Sequence, residues 1–210
     1  MKYKVMIVED QTMPRELFEL RIQASEHFEV ALSIDNAALA DVYCLRFPVD
    51  LILMDVVTRN GESGLDAAER IKRTFPQMKI IIVTSMPECS YLSRAREIGV
   101  ESFWYKEEQR ESLLDVMERT MAGESVYPDA TPELQLGLAS SYQFTSRELE
   151  VLREMTGGDT NQEIAERLHM SVATVKTHIL NMLEKTGFRN RTELAVRARE
   201  IGLVILNRKN

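Results

Sequence analysis

At 210 residues, 44% hydrophobic and 28% charged, the chain is long enough for two ordinary domains with separate cores and has the composition of a soluble globular protein. No apolar run approaches the roughly 18 residues of a membrane span, and the basic start at Lys2 and Lys4 reaches Glu9 and Asp10 before a signal-peptide core can form, so no membrane contact and a cytoplasmic address are expected. The net charge of −7 divides into −6 over residues 1–122, −3 over 123–142 and +2 over 143–210, an acidic front and a mildly basic tail suited to meeting phosphates.

The first 122 residues alternate strand and helix signals. Tyr3–Val8 predicts a strand and Met13–Glu26 a helix that tolerates Pro14 in its first turn. Val30–Ser33 reads as a short strand and Asn36–Phe47 as a helix. Val49–Met54 is an apolar strand broken only by Asp50, and Gly64–Phe75 a helix. Lys79–Thr84 is a buried strand, Pro87–Ile98 a helix, Ser102–Tyr105 the last strand and Glu107–Ala122 an amphipathic helix. Five βα units with nearly continuous apolar strands imply a parallel sheet covered on both faces.

From Gly123 to Tyr142 the periodicity dissolves. Pro128, Pro132, Gly137, Ser140 and Ser141 predict an inter-domain linker over 123–142, with a short helical piece at Pro132–Leu138. The remainder, 143–210, is helical. Thr145, Thr160 and Asn190 each stand three residues before a glutamate (Glu148, Glu163, Glu193), the capping-box spacing, and Ser171 is a good N-cap for a fourth helix. Cys44 and Cys89 lack CxxC spacing and a nearby histidine, which predicts two reduced, half-buried thiols.

Ligands of open parallel sheets gather at the carboxyl ends of the strands. Here the first strand ends in Glu9 and Asp10, the third in Asp55, the fourth in Thr84 and Ser85, and the fifth in Lys106. Clustered carboxylates stay ionised together only beside a cation, and a hard, oxygen-ligated ion such as Mg²⁺ fits them. With that charge in place, Asp55 is a nucleophile for a phosphoryl group, and Lys106 and the Thr84 hydroxyl meet the developing charge. Each residue alone is a weak signal; their joint placement on four strands is the strong one.

Val5–Asp10, Leu51–Asp55, Ile80–Ser85 and Phe103–Lys106 together resemble the bacterial response-regulator receiver over residues 1–122. The resemblance implies a flavodoxin-like (βα)5 fold and phosphorylation of Asp55 by a sensor histidine kinase. It implies direct Mg²⁺ ligation by Asp10, Asp55 and the Val57 backbone carbonyl, with Glu9 acting through water. It also makes Thr84 and Phe103 a switch pair, the ring turning inward on phosphorylation. Such a receiver catalyses only its own phosphorylation and dephosphorylation and is not otherwise an enzyme. Thr58 and Arg59 depart from the Met-Pro usual after the acceptor, and the loop 56–64 is one residue longer than usual.

In 171–186, Val172, Val175, Ile179 and Met182 share one helical face, while Thr174, Lys176, Thr177, His178, Asn181 and Lys185 share the other. With Thr160–Leu168 before it, this predicts a helix-turn-helix whose second helix enters the major groove. The motifs from Thr145–Leu152 through Asn161–Ala165, Thr174–His178 and Asn190–Glu193 resemble the LuxR-type DNA-binding domain, and with the receiver in front the chain resembles the NarL/FixJ subfamily of response regulators. That resemblance implies a small all-α four-helix domain. It assigns Thr174, Lys176 and Thr177 to major-groove or adjacent backbone contacts, and Asn161, Gln162, His178, Lys185 and Arg191 to phosphate contacts. The implied partners are double-stranded promoter DNA, a second copy of the chain when phosphorylated and, as a candidate, RNA polymerase. Leu180 stands where relatives often carry a basic or polar residue.

Two other readings are open on the residues. A Mg²⁺-dependent phosphohydrolase of the haloacid-dehalogenase type needs a second acid two residues after its nucleophile, and Val57 stands there. A phosphorylation-independent DNA-binding protein has only the altered loop at Thr58 and Arg59 in its favour.

Overall fold

A computed structural model of the chain describes residues 2–86, 89–106 and 111–204, with only the backbone of Cys89 and Ser90. Two compact units divide between Ala130 and Thr131. In chain order the first contains β1 (Tyr3–Val8), α1 (Thr12–Gln23), β2 (Phe28–Ile34), α2 (Ala40–Arg46, entered by a 3-10 turn at Ala37–Leu39) and β3 (Leu51–Asp55). A short antiparallel pair follows, β4 (Val57–Thr58) and β5 (Glu62–Ser63), then α3 (Gly64–Thr74), β6 (Lys79–Thr84), α4 (Cys89–Ile98), β7 (Ser102–Tyr105) and α5 (Leu113–Met121). The expected helix starts at Pro87 and Glu107 lie outside the described residues.

The main sheet is parallel in the order β2-β1-β3-β6-β7. Every residue of β3 is buried, and so is every residue of β6 after Lys79. Alternation sends side chains to opposite faces. One face carries Val5, Ile7, Leu51, Leu53, Ile81 and Val83, which pack with Phe18 and Ile22 of α1 and Leu113, Val116 and Met117 of α5 in one core cluster. The expected α2 shortened because Asn36 accepts a hydrogen bond from the Ala38 amide at 2.7 Å, which closes a 3-10 turn first. Cys44 is half-buried, and burial followed by the charge of Asp41 pushes its thiol up to about 11.

The second unit contains a two-stranded hairpin, β8 (Gln135–Leu136) and β9 (Ala139–Ser140), followed by α6 (Ser146–Thr156), α7 (Asn161–Arg167), α8 (Val172–Thr186) and α9 (Arg191–Glu200). The hairpin replaces the short helix expected at Pro132–Leu138. Gly137 turns the chain at φ 63°, and the Leu138 amide donates to the Thr186 carbonyl at 3.0 Å, so the turn closes the C-terminal end of α8. A side chain at Gly137 would meet that carbonyl at 2.2 Å.

The stretch 123–142, expected as an inter-domain linker, divides between the two units. Its first part belongs to the first unit, where Val126 is buried in the core cluster, and its second part is the hairpin of the second unit.

Thr145 and Thr160 form full capping boxes with Glu148 and Glu163. Asn190 accepts from the Glu193 amide as expected, but Glu193 takes the Arg189 amide at 3.0 Å in return, one residue earlier than the box requires. Among the described residues no helix is long and apolar enough to cross a membrane.

Candidate functional site

The carboxyl ends of β1, β3 and β7 bring Glu9, Asp10, Asp55 and Lys106 together. One oxygen each from Glu9, Asp10 and Asp55 lie within 4.8 Å of one another. Lys106 Nζ donates to Glu9 Oε2 at 2.5 Å and to Asp55 Oδ2 at 2.8 Å. Asp55 Oδ1 accepts from the Val56 amide at 2.7 Å, and Glu9 Oε1 from the Gln11 amide at 3.1 Å. Glu9 is fully buried and Asp55 nearly so.

Burial pushes the Asp55 carboxyl up to about 7, against the pull of Lys106 and with a further push from Glu9. Burial disfavours the Lys106 ammonium, but Asp55 and Glu9 outweigh it and its pKa is raised. Asp10 Oδ1 is buried without a hydrogen-bond partner among the described residues. A buried carboxylate oxygen left unpaired is costly. It lies in a group of hard oxygen donors, so the residues present fit a Mg²⁺ ion.

The loop after Asp55 is tighter than its sequence suggests. Thr58, one of the two unusual residues, is buried, and its hydroxyl accepts from the Ala37 amide at 2.9 Å and donates to the Glu62 carbonyl at 3.1 Å. Arg59 pairs with Asp35 at 2.5 Å. Asn60 (φ 64°) and Gly61 (φ 73°) make the turn of the β4–β5 pair, which holds Val57 beside the site.

Gly64 closes the loop, its amide donating to the Val56 carbonyl at 2.8 Å. A Cβ there would stand 1.8 Å from the Asp55 carbonyl oxygen. The sequence marks Gly64 as the end of the lengthened loop and as a helix start, but carries no sign of this close approach. The Arg15 guanidinium, which donates to the Glu9 carbonyl at 3.0 Å, carried no sequence signal at all.

Thr84 is fully buried at the end of β6, and its carbonyl accepts from the Lys106 amide at 2.9 Å. Phe103 is already inside, 2% exposed, with its ring centroid 5.0 Å from Tyr105 and 6.3 Å from Tyr127. The inward turn expected of this ring therefore has no exposed starting position here. Tyr127 lies beside the ring. The Tyr127 hydroxyl donates to the Val100 carbonyl at 2.7 Å, the Arg96 guanidinium lies 4.8 Å above its ring, and the Phe103 amide donates to the Val126 carbonyl at 2.8 Å.

In the second unit, α7 and α8 form a helix-turn-helix with the left-handed residue His169 (φ 52°) in the turn. Val175, Ile179, Met182 and Thr186 of α8 are buried. Thr174, Lys176 and Thr177 are exposed on the opposite side, His178 is half-buried, and Gln162 is exposed on α7 with its amide on Glu166 at 2.8 Å.

Lys185 does not join this face. Its ammonium donates to the Gln143 carbonyl at 2.9 Å and to both oxygens of the buried Glu148, at 2.8 and 2.7 Å. Burial raises the pKa of Glu148, but the Lys185 and Thr145 hydrogen bonds outweigh it and hold the group low. Arg191 donates to Asn161 Oδ1 at 2.8 Å and to the Asp159 carbonyl at 2.6 Å. Asn161 and Arg191 therefore tie the starts of α7 and α9 together, which competes with the phosphate contacts expected of them.

Comparison with known proteins bears on both units. Residues 5–118 match the response regulator receiver domain family, and residues 142–198 match the luxR family of bacterial regulatory proteins. The response regulator protein VraR of Staphylococcus aureus strain Mu3 is 31% identical over 209 residues, covering 97% of this chain and 100% of that protein. VraR of Staphylococcus epidermidis is 32% identical over the same coverage. Among solved structures, RcsB dimers bound to two parallel DNAs align with a TM-score of 0.62 at 18% identity, over 96% of this chain and 100% of that one. RcsB from Salmonella enterica serovar Typhimurium bound to a promoter with the phosphomimetic BeF3- aligns at 0.61 and 20% identity, over 94% and 98%.

Proposed function

Because this chain belongs to the response regulators with a receiver and a LuxR-type DNA-binding domain, we propose that Asp55 accepts a phosphoryl group from a sensor histidine kinase and that this controls promoter binding by the helical domain. The observation that carries the reading is the convergence of Glu9, Asp10 and Lys106 on Asp55, with one Asp10 oxygen buried and unpartnered among the described residues. Asp10, Asp55 and the Val57 carbonyl would hold Mg²⁺, with Glu9 acting through water. Bound there, the ion supplies positive charge against the carboxylates and the phosphoryl oxygens.

The chain's own residues do the rest. A carboxylate oxygen of Asp55 forms the new P–O bond as the P–N bond to the donor histidine breaks, and the imidazole leaves with a proton from solvent. The Val56 amide orients the carboxylate. Lys106 stands 2.8 Å from Asp55, where its charge meets the negative oxygens of the phosphoryl group. Water attack on the acyl phosphate returns Asp55, so the only catalysis is the receiver's own phosphorylation and dephosphorylation. Thr84 carries the change toward the surface of α4, β7 and α5, around a Phe103 ring that already lies inward.

On the DNA side, the exposed Thr174, Lys176 and Thr177 are the proposed groove contacts, with Gln162 and His178 toward phosphates. A local charge of only +2 gives a single domain modest affinity, so a phosphorylated homodimer on a two-part site is the proposed binding species, near RNA polymerase at the promoter. RcsB, whose fold this chain shares, was solved as dimers on DNA.

The test is direct. Asp55→Asn should abolish labelling by acetyl phosphate, and the wild type should lose labelling when Mg²⁺ is chelated. Labelling that survives in Asp55→Asn would reassign the acceptor.

A further inference from the structure

We propose that Ala173, Thr177 and Leu180 form an apolar stripe along the outer face of α8 that reads thymine methyl groups in the major groove. The inference rests on the DNA-binding reading above and names what that helix recognises.

The three residues stand at i, i+4 and i+7, on the side of α8 opposite the buried Val175, Ile179 and Met182. All three are exposed, Leu180 by 56%. What they offer outward is hydrocarbon. Ala173 has only its methyl. Thr177 donates its hydroxyl proton back to the Ala173 carbonyl at 3.0 Å, so the proton is spent inside the helix and the methyl and a lone pair are left. Leu180 carries no polar atom. Thr174, beside the stripe, is likewise turned back, its hydroxyl 2.8 Å from that of Ser171.

A single exposed leucine is ordinary on a protein surface. A series of three on the groove-facing side of a helix-turn-helix is a different observation. Polar readout of the major groove uses Arg or Lys on guanine and Asn or Gln on adenine, whereas Ala and Thr methyls meet the thymine methyl. The stripe rises about 10 Å from Ala173 to Leu180, enough for roughly three base steps. Glu184 continues the same face one turn later, where a carboxylate opposes close approach to DNA. The reading surface therefore ends at Leu180. Lys176 and Asn181 flank it and supply the polar contacts.

The test begins with duplexes selected from a random pool by the full-length protein in the presence of BeF3-. Each thymine of the selected site is then replaced singly by deoxyuridine, which removes one methyl and nothing else. The expected result is one to three thymines per half-site at which uridine weakens wild-type binding by about fourfold, the factor carried by one buried methyl. In Leu180→Ala, one of those uridine effects should disappear while the others persist. Thr177→Ser, which keeps the hydroxyl and removes the methyl, should abolish a different one.

Uridine replacement without effect at every thymine would overturn the proposal, as would a Leu180→Ala protein that keeps every uridine effect. Failure of the wild type to select any duplex would instead overturn the DNA-binding reading together with this one. Leu180 is largely exposed, so unchanged circular dichroism is expected in Leu180→Ala.

Discussion

Gly64 sets how closely α3 can approach the phosphoacceptor. The helix begins where its first residue almost touches the Asp55 carbonyl, and a methyl group placed there would overlap that oxygen at 1.8 Å. The neighbour is backbone, so it has no rotamer with which to yield. Gly64→Ala is expected to cost about 3 kcal/mol, the upper range for overpacking a tight site, and to reduce acceptance of phosphate more than tenfold; urea unfolding and acetyl-phosphate labelling measure the two effects.

Asp55 itself carries a pH dependence whose sign follows from its position. Burial lifts its folded pKa to about 7, above an ordinary value near 3.8. Its stabilising contribution is therefore whole below the unfolded value and is lost as pH rises through the folded one. Without a divalent cation, Asp55→Asn should gain thermal stability over the wild type between pH 4 and 7, with the difference level above that. Added Mg²⁺ should narrow it. A difference that shrinks with rising pH would contradict the placement of Asp55 in a poorly solvated carboxylate group.

Among the elements, α6 and α8 are joined by a polar bond that looks at first like a DNA contact. Lys185 sits at the end of α8 on the polar side of its sequence pattern, and only the folded helices bring the buried Glu148 beneath it. Breaking such a pair strands a buried charge, worth about 3–5 kcal/mol when both partners are enclosed. Lys185 is 32% exposed, so about 2 kcal/mol is expected for Lys185→Met. Because the Glu148 pKa is lowered, this stabilisation is present above the ordinary carboxylate value and is lost as pH falls through the folded one. Urea unfolding should find the full cost at pH 7 and a cost that shrinks steadily as pH falls below 4.5.

The same pair marks what the sequence could carry. The succession of strands and helices, the helix caps at Thr145, Thr160 and Ser171, and the residues at the strand ends follow from local patterns that survive in one dimension. The Glu148–Lys185 bond spans 37 positions and the Asn161–Arg191 bond 30, and neither has a periodicity to announce it. The β8–β9 hairpin was hidden for another reason. Its turn at Gly137 depends on the carbonyl of Thr186, a partner that only the folded α8 supplies.

At the scale of the whole molecule, the two units account separately for the stretch between them. Residues 126 and 127 are held by the first, through Val126 in its core and Tyr127 over Phe103. Shortly before the chain leaves that unit it passes beside the residue expected to switch, which a reading of residues 123–142 as an inter-domain linker could not have foreseen. The Phe103 amide, bonded to Val126, should exchange with solvent as slowly as amides of the central strand β6. In Tyr127→Ala it should exchange at least tenfold faster while the β6 amides keep their rates. Hydrogen exchange on the full-length protein followed by fragment analysis measures both.

That attachment also protects the sheet. β7 lies at one end of the strand order, and a terminal strand with unpaired amides is a template for another chain. Val126 occupies one of those amides, and its own amide turns to the Ser102 hydroxyl at 3.1 Å. Detaching residues 126 and 127 would therefore expose an adhesive edge as well as free a connector. Tyr127→Ala should aggregate at a lower temperature than the wild type, starting from strand addition at β7, a cost that any loosening of this segment during signalling must keep brief.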